Sequence, residues 1–243
     1  MNTDPLSDIV EYRCKTDLDL YDSPDCTTRA TQAIAGRHLR SGRSPSPGKT
    51  AVRVQLCEDD YPAWLSAADW EHLEIAPAPY GPQFLTRRDI RPQLPKIIQF
   101  TRQAQEIPNT YLWGGTTGPN YDCSGLIQTA FARQGIWLPR DAYQQEAFAE
   151  AIAPVSWELQ PGDLIFFGPP EKATHVGLYL GDGRYIHSSG PEHGRDGIGI
   201  DRLWQTDNEV SRHYAGQLRG VGRVATGYPF DRFGRFRRLE VEF

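Results

Sequence analysis

The sequence predicts an α+β protein in which a small β-barrel precedes a larger domain of helices followed by antiparallel strands. Three observations carry this expectation. Turn residues divide the first third of the chain into short stretches of alternating apolar residues. A proline-rich segment then interrupts all regular structure. Beyond it, apolar residues at helical spacing give way to compact strand-like runs. The expected boundaries are a barrel over 1–76, a linker over 77–94 and the larger domain over 95–243.

The barrel is read from "EYRCKTDLDLY", which alternates in part, and from "AVRVQL", where Val52, Val54 and Leu56 share one face. "YDSPDCTTR" and "SGRSPSPGKT" are turn and loop compositions. The linker holds Pro77, Pro79, Pro82 and Pro92, which no regular helix tolerates together. A first helix is expected at "LPKIIQFTRQAQEIP", where Ile97, Phe100, Thr101 and Ala104 recur at helical spacing and Pro95 sits in the first turn. "CSGLIQTAFARQG" repeats the pattern, with Gly135 as its C-terminal cap. A third helix is expected over "RDAYQQEAFAEAI", and strands at "GDLIFFG", "THVGLYLG", "GRYIHSSG" and "RRLEVEF". The uninterrupted Leu164-Ile165-Phe166-Phe167 fits a strand buried on both faces.

Composition narrows the function. The chain has 243 residues, 39% of them hydrophobic, and 26 Lys and Arg stand against 31 Asp and Glu. That acidic balance argues against a nucleic-acid partner. No run approaches the roughly 18 apolar residues of a bilayer span, so no membrane role is expected. The start "MNTDPLSDIVEYRCK" lacks the pattern of a secretory signal, and the expected location is cytoplasmic. Cys14, Cys26, Cys57 and Cys123 stand far apart with no C-x-x-C, unlike a disulfide scaffold or a zinc ribbon.

Cys123 opens the second helical stretch, after Asp122. A helix N-terminus carries roughly +0.5 of an elementary charge and unpaired N–H groups. A thiol there is biased toward thiolate, with pKa values of about 3.5–7.5 where a cation assists. Asp122 suits the N-cap, and Gly125 is expected to clear an approach for substrate backbone. A nucleophile needs a base, and the base an orienting partner. His175 and His187 lie on the hairpin "HVGLYLGDGRYIHSS". A two-residue Asp182-Gly183 turn sets His187 opposite Leu178, on the face away from His175. A three-residue Gly181-Asp182-Gly183 loop sets it opposite Gly177 and diagonal to His175, at roughly 7–8 Å between α-carbons. The three-residue loop is the expectation, since Gly183 suits its left-handed position. A lone cysteine is more often a small buried hydrophobe; it is the combination with the paired histidines that points to catalysis.

In their order, "YLWGGTTGPNYDCSGLIQTAF", "LPRDAYQQ", "LQPGDLIFFG" and "THVGLYLGDGRYIHSSG" resemble the NlpC-type cell-wall cysteine peptidases, over residues from about 95 to 240. "YPAWLSAADWEHL" resembles the closing strand of a bacterial SH3-type domain. The pairing is similar to that of the cyanobacterial γ-D-glutamyl-L-diamino-acid endopeptidases. The resemblance implies a papain-like fold after an SH3-like barrel, with no metal or other cofactor. It implies Cys123 as nucleophile, His175 as base and acid, and His187 as the residue orienting His175. Tyr111 and the Cys123 N–H stabilise the oxyanion, while Trp113, Asp122 and Ser124 line the L-Ala-γ-D-Glu site. From the barrel, Tyr61 and one of Glu58, Asp59 or Asp60 bind a free α-amine. The implied substrate is a murein tripeptide or tetrapeptide, L-Ala-γ-D-Glu-diaminopimelate, in cell-wall recycling. Ala142 stands where related sequences carry Ser after "PRD", which puts the glutamyl site in question. Two rival readings are a zinc amidase with Cys123, His175 and His187 as ligands, and a non-catalytic wall-binding protein.

Overall fold

A computed structural model describes residues 9–42, 44–154, 158–205, 208–231 and 234–236. The expected strand "RRLEVEF" lies outside the described residues. Contacts divide the chain between Pro82 and Gln83, inside the segment expected as linker.

The first unit is a seven-stranded sheet of β1 (Val10–Cys14), β2 (Leu18–Tyr21), β3 (Arg29–Ala33), β4 (His38–Ser41), β5 (Ala51–Leu56), β6 (Pro62–Ser66) and β7 (Leu73–Ile75). The strands run in the order β3-β2-β6-β5-β4-β1-β7, each antiparallel to its neighbours. Alternation builds its core: Leu18, Leu20, Leu39, Val54, Leu56 and Leu65 point inward together. Val52 is only half-buried.

The second unit opens with a departure from expectation. Helix α1 (Arg87–Ile90) forms within the proline-rich segment. Thr86 and Asp89 make a capping box that satisfies the first N–H groups. Pro92 and Pro95 fall in the first turns of the elements that follow, where the missing N–H costs no intrahelical bond. Helix α2 (Leu94–Glu106) buries Ile97, Thr101 and Ala104, as its spacing predicts. Helix α3 (Cys123–Ala132) ends before Gly135, whose φ of +74° turns the chain so that the Ile136 N–H reaches back to the Phe131 carbonyl. Helix α4 (Ala142–Phe148) is shorter than expected. Glu150–Ile152 forms strand β8 instead, because pairing with a later strand satisfies its backbone.

Strands β9 (Leu164–Phe167), β10 (His175–Gly181), β11 (Arg184–Ser189), β12 (Gly197–Arg202) and β13 (Leu218–Arg223) complete a six-stranded antiparallel sheet, ordered β12-β11-β10-β9-β13-β8. Helix α5 (Glu209–Ala215) packs against β12. The sheet is buried on both faces: Leu164 and Phe166 join the core under α3, and Ile165 and Phe167 a second cluster with Tyr185 and Tyr214. Helix α3 lies on β10 and β11, which brings its first turn to the two histidine-bearing strands. Among the described residues, no helix is long and apolar enough to cross a membrane.

Candidate active site

The head of α3 is fixed by a buried polar cluster. Asp122 has extended backbone and caps the helix, accepting from the Gly125 N–H at 2.6 Å and the Gly114 N–H at 2.9 Å. Arg140 forks onto the same carboxylate, at 3.1 Å to Oδ1 and 2.5 Å to Oδ2. It also donates to Ser124 Oγ at 2.9 Å. Asp122 and Ser124 are therefore engaged from within the fold, and Arg140 is the partner that holds them. Asp141 has a separate task, forming a capping box with Gln144 at the start of α4. Ala142, the residue in place of Ser, is buried in the core beneath it.

Gly125 does not open a path for substrate. A Cβ there would collide with the Gly115 carbonyl, so the residue lets α3 close onto the Gly114–Gly115 loop. Helix propensity alone favours alanine by about 1 kcal/mol. We expect Gly125→Ala nonetheless to lose about 1–3 kcal/mol of stability, read as a lowered unfolding midpoint, because backbone must shift to admit the methyl.

Cys123 is 6% exposed. The Val176 and Ser124 N–H groups point at its sulfur and favour thiolate, but burial dominates, with the Asp122 charge adding to it, and pushes the thiol up to about 12. The thiolate bias expected from helix position is thus outweighed. Burial, with His187 alongside, likewise holds His175 well below its ordinary value. The resting pair is a neutral thiol and a neutral imidazole.

The histidine hairpin has the predicted register by another route. Leu178 faces Ile186 and Tyr179 faces Tyr185, which sets Gly177 opposite His187. The loop, however, is the two-residue turn Asp182-Gly183, closed by Gly181 and Arg184. Both turn residues have positive φ, as a type I′ turn requires. A bulge between Tyr179 and Gly181, with Gly181 at φ +99°, restores the register that puts both histidines on one face. His175 Nε2 lies 2.7 Å from His187 Nδ1.

Beyond His187 stands a group that sequence reasoning missed. His187 Nε2 is 2.9 Å from Asp201 Oδ2 on β12. Asp201 also accepts from Arg195 Nη1, from Asn208 Nδ2 at 3.1 Å and from Ser211 Oγ at 3.1 Å. With His187 and Arg195 both donating to it, its pKa falls far below the carboxylate range despite burial. An ionised carboxylate only accepts. Its partner His187 Nε2 therefore carries a proton, and neutral His187 must accept at Nδ1. His175 then donates from Nε2 and presents a lone pair at Nδ1.

Tyr214 on α5 stacks on the His175 ring, centroids 4.2 Å apart and planes 21° apart. Its hydroxyl is 2.9 Å from Ser189 Oγ and 3.4 Å from His175 Nδ1, whose lone pair can only accept from it. Neither Tyr214 nor Asp201 belongs to a motif quoted above; the strand alternation of "GIGIDR" is the signal that could have placed Asp201 beside His187. Tyr111 is half-buried, with its N–H donated to Asp196 Oδ1 at 2.7 Å. Burial and the nearby Cys123 raise its phenol, which stays protonated and able to donate. Trp113 is 66% exposed and not part of the core. In the first unit, Glu58 is buried and its oxygens engage Arg37 at 3.3 Å and the His38 N–H at 2.8 Å, so an amine would compete with both. Tyr61 packs against the core of that unit.

The donor set fits hydrogen bonding better than zinc. Two nitrogens on one tetrahedral zinc, at about 2.0–2.1 Å from the ion, stand roughly 3.3 Å apart. The 2.7 Å between the imidazoles is a hydrogen bond, and the other His187 nitrogen faces Asp201.

Residues 108–214 match the NlpC/P60 family model, and residues 20–69 that of the bacterial dipeptidyl-peptidase SH3 domain. Over residues 108–214 the chain is similar to the NlpC/P60 family. This NlpC/P60 domain contains Tyr111, Cys123, His175, His187, Asp201 and Tyr214, while Glu58 and Tyr61 fall in the SH3 domain. The fold class is as expected, a papain-like α+β domain preceded by SH3-like strands. A gamma-D-glutamyl-L-lysine dipeptidyl-peptidase of Bacillus subtilis is 34% identical over 120 residues, 45% of this chain and 38% of that protein. A gamma-DL-glutamyl hydrolase of the same species is 43% identical over 100 residues, 40% of this chain and 23% of that protein. The chain thus spans less than two fifths of the length of either relative. The crystal structure of an NlpC/P60 family protein from Bacillus cereus is 24% identical, covering 91% of this chain and 65% of its own, with a TM-score of 0.47.

Proposed function

We propose that this chain is a cysteine peptidase that cleaves the γ-D-glutamyl–diamino acid bond of murein peptides. One observation carries the reading: hydrogen bonds running from ionised Asp201 through His187 leave His175 Nδ1 as an unprotonated base, with the Tyr214 hydroxyl 3.4 Å away, on the strand against which the Cys123 helix is packed. Names borne by relatives, a glutamyl-lysine dipeptidyl-peptidase and a glutamyl hydrolase, support the bond class.

In this reading His175 Nδ1 takes the thiol proton as the sulfur attacks the γ-carbonyl carbon of D-glutamate. The oxyanion receives the Cys123 N–H and the Tyr111 hydroxyl. The imidazolium then protonates the leaving amine, and the C–N bond breaks to give a thioester. Water, deprotonated by His175, attacks the thioester carbon, frees the γ-carboxylate and returns the proton to sulfur. Because His175 is depressed, it stays neutral and competent well into the acidic range.

The finer part of the proposal is a preference for free N-terminal L-Ala, as in peptides released during wall recycling. It is tested by mass spectrometry of L-Ala-γ-D-Glu-diaminopimelate digests, with free and acetylated N-termini compared. Release of diaminopimelate from the free peptide alone is expected. Equal cleavage of both would remove the amine requirement, and cleavage of neither would remove the peptidase reading and leave wall binding.

A further inference from the structure

We propose that Asp201 and Arg195 form a charge pair that positions and tunes the catalytic base, Asp201 by fixing the proton on each ring of the histidine relay and Arg195 by partly cancelling the Asp201 charge. The inference rests on the peptidase reading of Cys123 and His175. Asp201 is a positioning residue in this scheme, since it touches His187 and not the reacting atoms.

The geometry has two parts. Asp201 collects four donors, from His187 on β11, from Arg195 before β12, and from Asn208 and Ser211 of the α5 cap and first turn. Three residues beyond Ser211, Tyr214 lies on the same helical face and stacks on His175. One carboxylate therefore holds the relay from behind and anchors the helix that supports the base from the side.

Arg195 has a site made for it. Gly199 faces His187 across the β11–β12 ladder. A Cβ on Gly199 would collide with the Arg195 guanidinium, so the missing side chain is what admits the cation above the strand beside His187 and Asp201. Arg195 is 25% exposed at its side chain. It lowers the proton affinity of His187 from close range. Asp201 without it would pull harder on the His187 and His175 protons and leave the base more often charged.

Other titratable groups lie around this relay. His213 and Tyr214 from α5, His193 from the turn before β12, and Tyr185 from β11 remain in place in the variants below, while Cys123 from α3, a neutral thiol at rest, is replaced only in the NMR background. Glu192 acts on Tyr214 and Tyr111 from the same turn.

Removing the two partners should therefore have opposite signatures. In Arg195→Met, the acidic limb of kcat/KM is expected to move up by about half a unit to one unit, since the imidazolium gains stability. Gly199→Ala, which displaces the guanidinium and leaves Arg195 in the chain, is expected to move it the same way. In Asp201→Asn, the amide can offer an N–H to His187 Nε2 and so reverse both tautomers, leaving His175 Nδ1 protonated. A loss of about 10²-fold or more in kcat/KM is expected, with Asp201→Glu recovering part of it.

The same signs are read without turnover by following the His175 imidazole by NMR in a Cys123→Ala background, upward with Arg195→Met and downward with Asp201→Asn. Unmoved His175 titration in folded Arg195→Met and Gly199→Ala proteins would overturn the role of Arg195. Wild-type kcat/KM in Asp201→Asn would overturn that of Asp201. Failure of the peptidase reading shows itself differently, as a wild-type protein that releases no diamino acid while the NMR shifts persist.

Discussion

Cys123→Ala is expected to reduce hydrolysis of L-Ala-γ-D-Glu-diaminopimelate by about 10⁴-fold or more, with the unfolding midpoint little changed. Removing a nucleophile that acts as one unit with its base costs about as much as removing the whole set. The fold should tolerate the change, because alanine fills most of the space of a buried thiol and the Val176 and Ser124 N–H groups remain near a helix terminus. Measured turnover within tenfold of wild type would exclude Cys123 as the nucleophile. Iodoacetamide offers an independent reading: it should inactivate the wild type at a rate that rises with pH, since burial holds the thiol up to about 12 and thiolate is scarce at neutrality.

Arg140→Met is expected to destabilise the protein by about 3–5 kcal/mol, the usual range when one partner of a buried ion pair is removed. Arg140 is 1% exposed, and its guanidinium holds both oxygens of Asp122 and the Ser124 hydroxyl. Methionine fills similar volume but leaves a buried carboxylate without its cation. The Asp122→Asn/Arg140→Met double variant should regain part of the loss, because an amide needs no counter-charge and still accepts from the Gly125 N–H. Thermal unfolding of the single and double variants checks both statements. A single variant within about 1 kcal/mol of wild type would show that the pair is surface-like in strength.

Several parts of the candidate site are legible in local sequence. Asp122 preceding an apolar helical pattern specifies an N-cap, because only a few residue types accept from the first free N–H groups. The alternation of β10 and β11 limits which residues share a face, so the choice of hairpin register could be argued before any coordinates. The register was right and the loop was not: Asp182 at φ +53° makes the two-residue turn, and a bulge absorbs the extra residue. A bulge leaves little trace in sequence beyond a glycine, here Gly181.

The proline-rich segment illustrates the opposite limit. Proline density argued against helix over 77–94, yet Thr86 and Asp89 cap a short one at Arg87–Ile90. A cap satisfies donors at one end, and the prolines fall where no donor is needed. Similarly, Glu58 and Asp59, which the resemblance offers as partners for a free α-amine, are buried against Arg37. Their partner stands some twenty residues earlier, beyond the reach of any local pattern.

By itself, the sequence determined the strands of the first unit, the helices α2 and α3 ahead of β9, β10 and β11, the cysteine at a helix head, the shared face of His175 and His187, and the likeness to NlpC-type peptidases. All of these rest on periodicity, turn chemistry and short motifs, which act over a few residues. The tertiary structure alone decided that Asp201 stands behind His187, that Tyr214 stacks on His175, that Arg140 occupies Asp122 and Ser124, and that burial keeps the thiol protonated. Those facts depend on contacts between residues well separated in the chain and on the exclusion of water, and both exist only once the sheet and α3 have packed.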